Sequence, residues 1–263
     1  GVSEKFPREI LVGLNDRNPQ LHDIYRVNIE TGKREMVQEN PGFMGFLTDD
    51  DYKVRIATRF SPDGSTEQLV PDGKGGWKLF TKIPQEDSLT TSPVGFDKTG
   101  RILYWLDSRG RDTAALKSQN LDTDEMKTIA SNDKADVGGV LAHPIEKTIE
   151  AVSFTYERLE WDILDQQIAD DFEYLKTVAD GEMQVTSRSL DDKHWVVAYI
   201  MDNGPVRYYY YDREAGKASF LFTNREDLEG MPLAKMHPLV IKARDALNLV
   251  CYLTLPVGSD KDG

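Results

Sequence analysis

The sequence predicts an all-β protein, a partial β-propeller of about five four-stranded blades with one inserted helix. Three observations carry that expectation: a repeat with a 46-residue period, β-branched and aromatic runs that fall in phase with it, and polar turns at fixed places between the runs. The repeat is clearest in its turns. Segments 28–33 (NIETGK), 120–125 (NLDTDE) and 212–217 (DREAGK) follow one another at steps of 92 residues, twice the period. Sliding the chain by 46 aligns Ile10–Leu14, Val54–Arg59, Ile102–Leu106, Ile149–Phe154 and Trp195–Ile200, each a short run of strand type.

The remaining strands follow from the same frame. Runs at Gly42–Leu47, Ser92–Phe96, Gly138–Ala142 and Met183–Ser187 precede the aligned runs, separated from them by the turns Asp49–Asp51, Asp97–Gly100, His143–Lys147 and Asp191–Lys193. Asp side chains bond nearby backbone N–H groups and Gly accepts positive φ, so these segments turn the chain. Third strands at Ile24–Val27, Ala115–Gln119 and Arg207–Tyr211 and fourth strands at Arg34–Val37, Met126–Ile129 and Ala218–Phe222 complete the unit. Four strands per 46 residues is a propeller blade, which buries its two faces by stacking on neighbours. Only Phe6–Glu9 precedes Ile10, so the first blade is expected to lack its innermost strand, and the whole to be part of a larger propeller.

The fourth copy departs from the pattern. Ile168, Phe172, Leu175 and Ala179 recur at helical spacing, with Asp165 as N-cap and Gly181 as stop, which predicts a helix of about three turns covering a blade edge. After Arg225 the period ends. Runs at Leu239–Ile241 and Leu249–Leu255, joined at Arg244–Ala246, predict a hairpin, and 258–263 reads as a polar linker.

Charge and composition exclude several classes. Lys+Arg 32 against Asp+Glu 45 gives a net charge of −13, which repels phosphate backbones and anionic lipid surfaces, so neither nucleic acid nor membrane is an expected partner. Apolar stretches of five or six residues fall far short of the ~18 needed to cross a bilayer. The start of the chain has no signal-peptide layout, and a soluble protein is expected, its compartment, cytoplasmic or periplasmic, left open by the sequence. The lone Cys251, among apolar neighbours, is expected to be a buried thiol. Exposed blade edges are expected to pair with a second copy.

Candidate chemistry is sparse. His22, His143, His194 and His237 show no metal-ligand spacing, Asp49–Asp51 lacks the alternation of a calcium loop, and Gly73–Gly76 fails the phosphate-loop template, so no metal and no cofactor is expected. No Gly-x-Ser-x-Gly elbow occurs, and no catalytic residue is assigned. The loop Asp107–Asp112 places Arg109, Arg111 and Asp112 where they can form ion pairs or reach a ligand carboxylate, and Arg17 occupies the slot of Arg109 one double period earlier. These four are the candidate residues for a substrate or domain interface. Tyr208–Tyr211 alternates, so two rings face each side of its sheet.

The segment after the blades resembles a known family. Met236-His237-Pro238, then Ile241–Leu247 and Tyr252–Pro256, resembles the stretch that leads into the catalytic domain of prolyl oligopeptidase family serine peptidases, in the branch of dipeptidyl aminopeptidases and acylaminoacyl peptidases. There the stretch reads strand, "RDG", strand, "LP"; here Ala246 stands in place of the Gly. Segments 9–18, 106–116 and 208–213 are similar to propeller segments of the same branch. The resemblance implies that residues 1–226 are propeller and 227–263 a linker and first hairpin leading to an α/β-hydrolase domain. It places the Ser-Asp-His triad outside this sequence. The implied role is a substrate-gating module, not catalytic by itself, in a peptidase acting on short peptides by acyl-enzyme chemistry. Two alternatives remain open on the residues: a stand-alone propeller that binds a ligand or protein, and a glycan-acting propeller enzyme.

Overall fold

The computed structural model of the chain describes residues 1–259. The last part of the expected polar linker, 260–263, lies outside them. The fold is the expected all-β arrangement of about five blade-like antiparallel sheets, and the chain divides into two compact units.

The first unit, residues 1–137 and 145–148, holds three sheets. β1 (Glu9–Asn18), β2 (Leu21–Asn28) and β3 (Arg34–Gln38) form the first, with three strands. Where an innermost strand would pair, Gly1 bonds to Leu11 instead, with its amino group 2.6 Å from the Leu11 carbonyl and its own carbonyl accepting the Leu11 N–H at 2.9 Å. β4 (Gly45–Thr48), β5 (Val54–Phe60), β6 (Thr66–Pro71) and β7 (Trp77–Ile83) form the second sheet; β8 (Ser92–Phe96), β9 (Ile102–Asp107), β10 (Ala115–Asn120) and β11 (Met126–Ala130) form the third. Alternation along β5 and β9 sends Ile56, Leu103 and Trp105 into a shared core with Ile83 and Phe96.

The second unit, residues 138–144 and 149 onward, begins within β12 (Val137–Ala142), which pairs with β13 (Ile149–Thr155) and, through it, β14 (Leu159–Ile163). The last blade is β15 (Glu182–Arg188), β16 (His194–Ile200), β17 (Arg207–Asp212) and β18 (Lys217–Thr223), in that order. Trp195, Val197 and Tyr199 on β16 are fully buried, and Trp195 and Val197 face Tyr211 and Tyr209 across the ladder. The four tyrosines split by face as alternation requires. Tyr209 and Tyr211 belong to this core, while Tyr208 stacks on Phe222 and Tyr210 on His194 on the opposite side.

The inserted helix is shorter than its periodicity predicts. A single 3₁₀ turn, Gln166–Ile168, runs into the two turns of α1 (Ala169–Leu175), so the helical stretch ends before Ala179. Asp165 caps it as expected, its side chain accepting the Gln167 N–H at 2.9 Å. Ile168, Phe172 and Leu175 are buried in a core with Trp195, Val197, Tyr199 and Tyr211 of the last blade, so the segment that replaces a fourth strand in the repeat contributes core side chains. Gly181 closes the excursion at φ 106°, with the Ile200 carbonyl so near that a Cβ would meet it at 2.6 Å. Only glycine fits that approach.

β19 (Met236–Lys242) and β20 (Asn248–Thr254) form the expected hairpin. Cys251, expected to be buried, is half-buried on β20, its thiol 3.8 Å from the Leu249 carbonyl. Ala246 sits in the hairpin turn at φ 70°, a left-handed conformation in which a Cβ crowds the following carbonyl. Ala246→Gly is therefore expected to stabilise the hairpin by about 1 kcal/mol, read as slower amide exchange in β19 and β20. Unchanged or faster exchange would contradict the strain.

Candidate functional site

Two of the three candidate arginines, Arg17 and Arg109, are held by carboxylates of their own blades. Arg17, at the end of β1, donates from Nε and Nη2 to the two Asp23 oxygens, both at 2.8 Å, and from Nη2 to the Asn40 carbonyl at 2.9 Å. Asp23 is fully buried at the start of β2 and also accepts the Asn40 N–H at 2.6 Å. The guanidinium and then that N–H hold the Asp23 carboxyl down to about 2. Arg109 grips Asp107 through Nε at 2.9 Å and Nη2 at 3.1 Å, and Lys117 adds a third bond at 3.0 Å. Burial alone would raise the Asp107 carboxyl, but these donors outweigh it and bring it to about 2.

Arg111 donates from Nε to the Thr113 carbonyl at 3.0 Å, and Asp112 lies exposed beside it. Arg109, Arg111 and Asp112 thus share one loop, while Arg17 serves another blade and also reaches Glu39 at 3.5 Å. Arg17 and Arg109 fill equivalent slots but take their carboxylates from different strands, Asp23 from β2 and Asp107 from β9.

A concavity of about 710 Å³ lies in the second unit, between the loop ends of its two blades and the start of the hairpin. Its walls come from the β13–β14 turn, the chain between α1 and β15, the β16–β17 loop, and Lys235–Pro238. Local bonds fix each wall: Glu182 accepts the Leu159 N–H at 3.2 Å, and Trp161 Nε1 donates to the Met183 carbonyl at 2.9 Å. Tyr199 stands behind them with its hydroxyl on the Leu175 carbonyl at 2.6 Å, and burial pushes its phenol up. Among the described residues that line it there is no serine, threonine or cysteine.

Arg158, in the β13–β14 turn, closes one side. Its Nη2 donates to Asp202 Oδ2 at 3.0 Å and to the Met236 carbonyl, while the Met236 N–H reaches the same Asp202 oxygen at 3.0 Å. Sequence reasoning singled out Met236-His237-Pro238 as a family signature but not as a cavity wall, and it missed Arg158 and Asp202. No local pattern marks them, because the pair is 44 residues apart in the chain.

A second cluster has the donor set of a metal site. Ligand atoms of His143, Glu150 and Asp192 lie within 4.8 Å of one another. The two carboxylates are already bound, however, by Arg188, through Nη1 to Glu150 and Nε to Asp192, both at 2.5 Å. Arg213 gives Asp192 a second cationic partner, and both guanidinium groups stack on Trp195, at 4.7 and 4.9 Å from the ring centre. Arg213 also pairs with Asp171, so these two cations hold three carboxylates, and a metal ion on Glu150 and Asp192 would have to displace a guanidinium.

No protein-family model matches the chain. Over 261 residues it is 44% identical to dipeptidyl aminopeptidase BIII of Pseudoxanthomonas mexicana, covering 99% of this chain and 38% of that protein. It is 32% identical over 257 residues to dipeptidyl peptidase family member 6 of Caenorhabditis elegans, covering 94% and 35%. In fold it matches Porphyromonas gingivalis dipeptidyl peptidase 4 with a TM-score of 0.56 at 12% identity, over 96% of this chain and 39% of the other. The chain therefore spans under two fifths of the length of each of these relatives. In sequence the chain is thus similar to part of two dipeptidyl peptidases, and in fold to the corresponding part of a third.

Proposed function

We propose that this chain is the substrate-gating propeller module of a serine peptidase that acts on short peptides, and that it is not catalytic by itself. The observation that carries the reading is the 44% identity to a dipeptidyl aminopeptidase along nearly the whole chain. The lack of an elbow serine in the 263 residues supports the second half of it. On this reading residues 1–226 are the propeller portion and 227–263 carry the chain into the hydrolase fold. Arg17, at the end of β1, and Arg109, Arg111 and Asp112, on the loop after β9, then face the substrate or the catalytic domain, and the ion pairs of Arg17 and Arg109 hold these segments in shape.

The test incubates this chain and its gene-length parent with a fluorophosphonate probe and with chromogenic dipeptide and acyl-amino-acid substrates. Labelling and turnover by the parent alone are expected. Turnover by neither protein would overturn the peptidase reading, and turnover by this chain would overturn its passive role.

A further inference from the structure

The hairpin of β19 and β20 is poorly covered. Leu239, Val240, Ile241 and Leu249 are each more than 40% exposed, and a two-stranded ribbon with so little apolar burial is at best marginal in water. What ties it to the blades is polar and is concentrated at one end. Arg158 bonds both Asp202 and the Met236 carbonyl, and Asp202 in turn accepts the Met236 N–H. Asp202 is largely shielded, its side chain 15% exposed, and Arg158 lies 5.6 Å from the centre of the Tyr252 ring. The Tyr252 hydroxyl then donates to the Glu157 carbonyl at 2.8 Å, one residue before Arg158. Two blades and both hairpin strands thus converge on one guanidinium.

From this geometry we propose that Arg158 and Asp202 form a latch that positions the hairpin on the last two blades. Arg158 is the positioning residue: its terminal Nη2 serves a carboxylate and a carbonyl at once, and its guanidinium carbon lies near the Tyr252 ring. Because Lys235–Pro238 also walls the 710 Å³ cavity, the latch sets the width of that cavity. Resting on the proposed peptidase reading, it also sets how the chain beyond the hairpin is presented to the blades.

Hydrogen exchange on this 263-residue chain tests the latch directly. In Arg158→Ala, amides of β19 and β20 should exchange roughly ten- to a hundred-fold faster, the loss expected for hydrogen bonds to a charged group, while those of β15–β17 keep their protection. Arg158→Lys should fall between, since its ammonium keeps the charge opposite Asp202 but ends one bond short of Nη2, too far back to hold both Asp202 and the Met236 carbonyl at full strength. Unchanged hairpin exchange, or an equal rise in the blade amides, would overturn the latch. In the gene-length parent, Arg158→Ala should lower kcat for a chromogenic dipeptide substrate more than it raises KM, with partial recovery in Arg158→Lys. An unchanged kcat would overturn the positioning role. A parent inactive toward every peptide would sink the peptidase reading, while the exchange result would still decide the latch.

Discussion

Arg188→Ala is expected to lower the stability of the second unit by about 3–5 kcal/mol, the cost of leaving buried charge unpaired. Glu150 and Asp192 are 2% and 6% exposed, and Arg188 bonds both while donating to the Ala142 carbonyl at 3.2 Å. With the guanidinium gone, Asp192 keeps Arg213 and the Trp195 N–H at 2.8 Å, but Glu150 loses the cation that compensates its burial. The intact network is worth less than this loss suggests. Arg188 Nη2 is itself buried without an acceptor, so the wild-type protein already carries a desolvation cost there. Replacing the Arg188 and Glu150 pair by Met and Leu should accordingly restore much of what the single change removes. Urea unfolding followed by tryptophan emission measures both variants. A single-variant loss below about 1 kcal/mol would show that the charges are not held as described.

Phe172→Ala is expected to cost about as much, roughly 3–5 kcal/mol, for a different reason. Its ring is 1% exposed and meets Trp161 and Trp195 edge to face at 5.6 and 6.1 Å, so truncation opens a cavity that a two-turn helix bounded by Asp165 and Gly181 cannot collapse. Glu173→Ala, one position along on the exposed side, should change stability by no more than about 0.5 kcal/mol. Equal effects from the two variants would mean that the helix lies on the blade rather than inside its core.

Much of the fold was legible because a strand declares itself locally. The alternation in Trp195–Ile200 and the Asx-type turns at Asn28, Asn120 and Asp212 need only neighbours to be read, and a fixed period made each copy confirm the next. The helix was legible in kind but not in length. Lys176–Ala179 keep the apolar spacing yet leave the helix, since they must lead the chain to Gly181 beside the Ile200 carbonyl. Of the site, the sequence exposed residues with conspicuous local chemistry, such as Arg109 beside Asp107. Arg158 gave no such signal, because its partners lie 44 and 78 residues further along and only the packing of whole blades brings them to it.

The distribution of the four tryptophans has a practical side. Trp77 lies on β7, Trp105 on β9, Trp161 on β14 and Trp195 on β16, so every sheet after the first, the hairpin aside, carries one indole of its own. Their surroundings differ: Trp105 donates to the Gln119 side chain at 3.0 Å, Trp161 to a backbone carbonyl, and Trp195 to a carboxylate between two guanidinium groups. Single-tryptophan variants would therefore give each of these blades its own fluorophore with a distinct emission maximum, and the order in which the blades lose structure could be followed one at a time within a single chain.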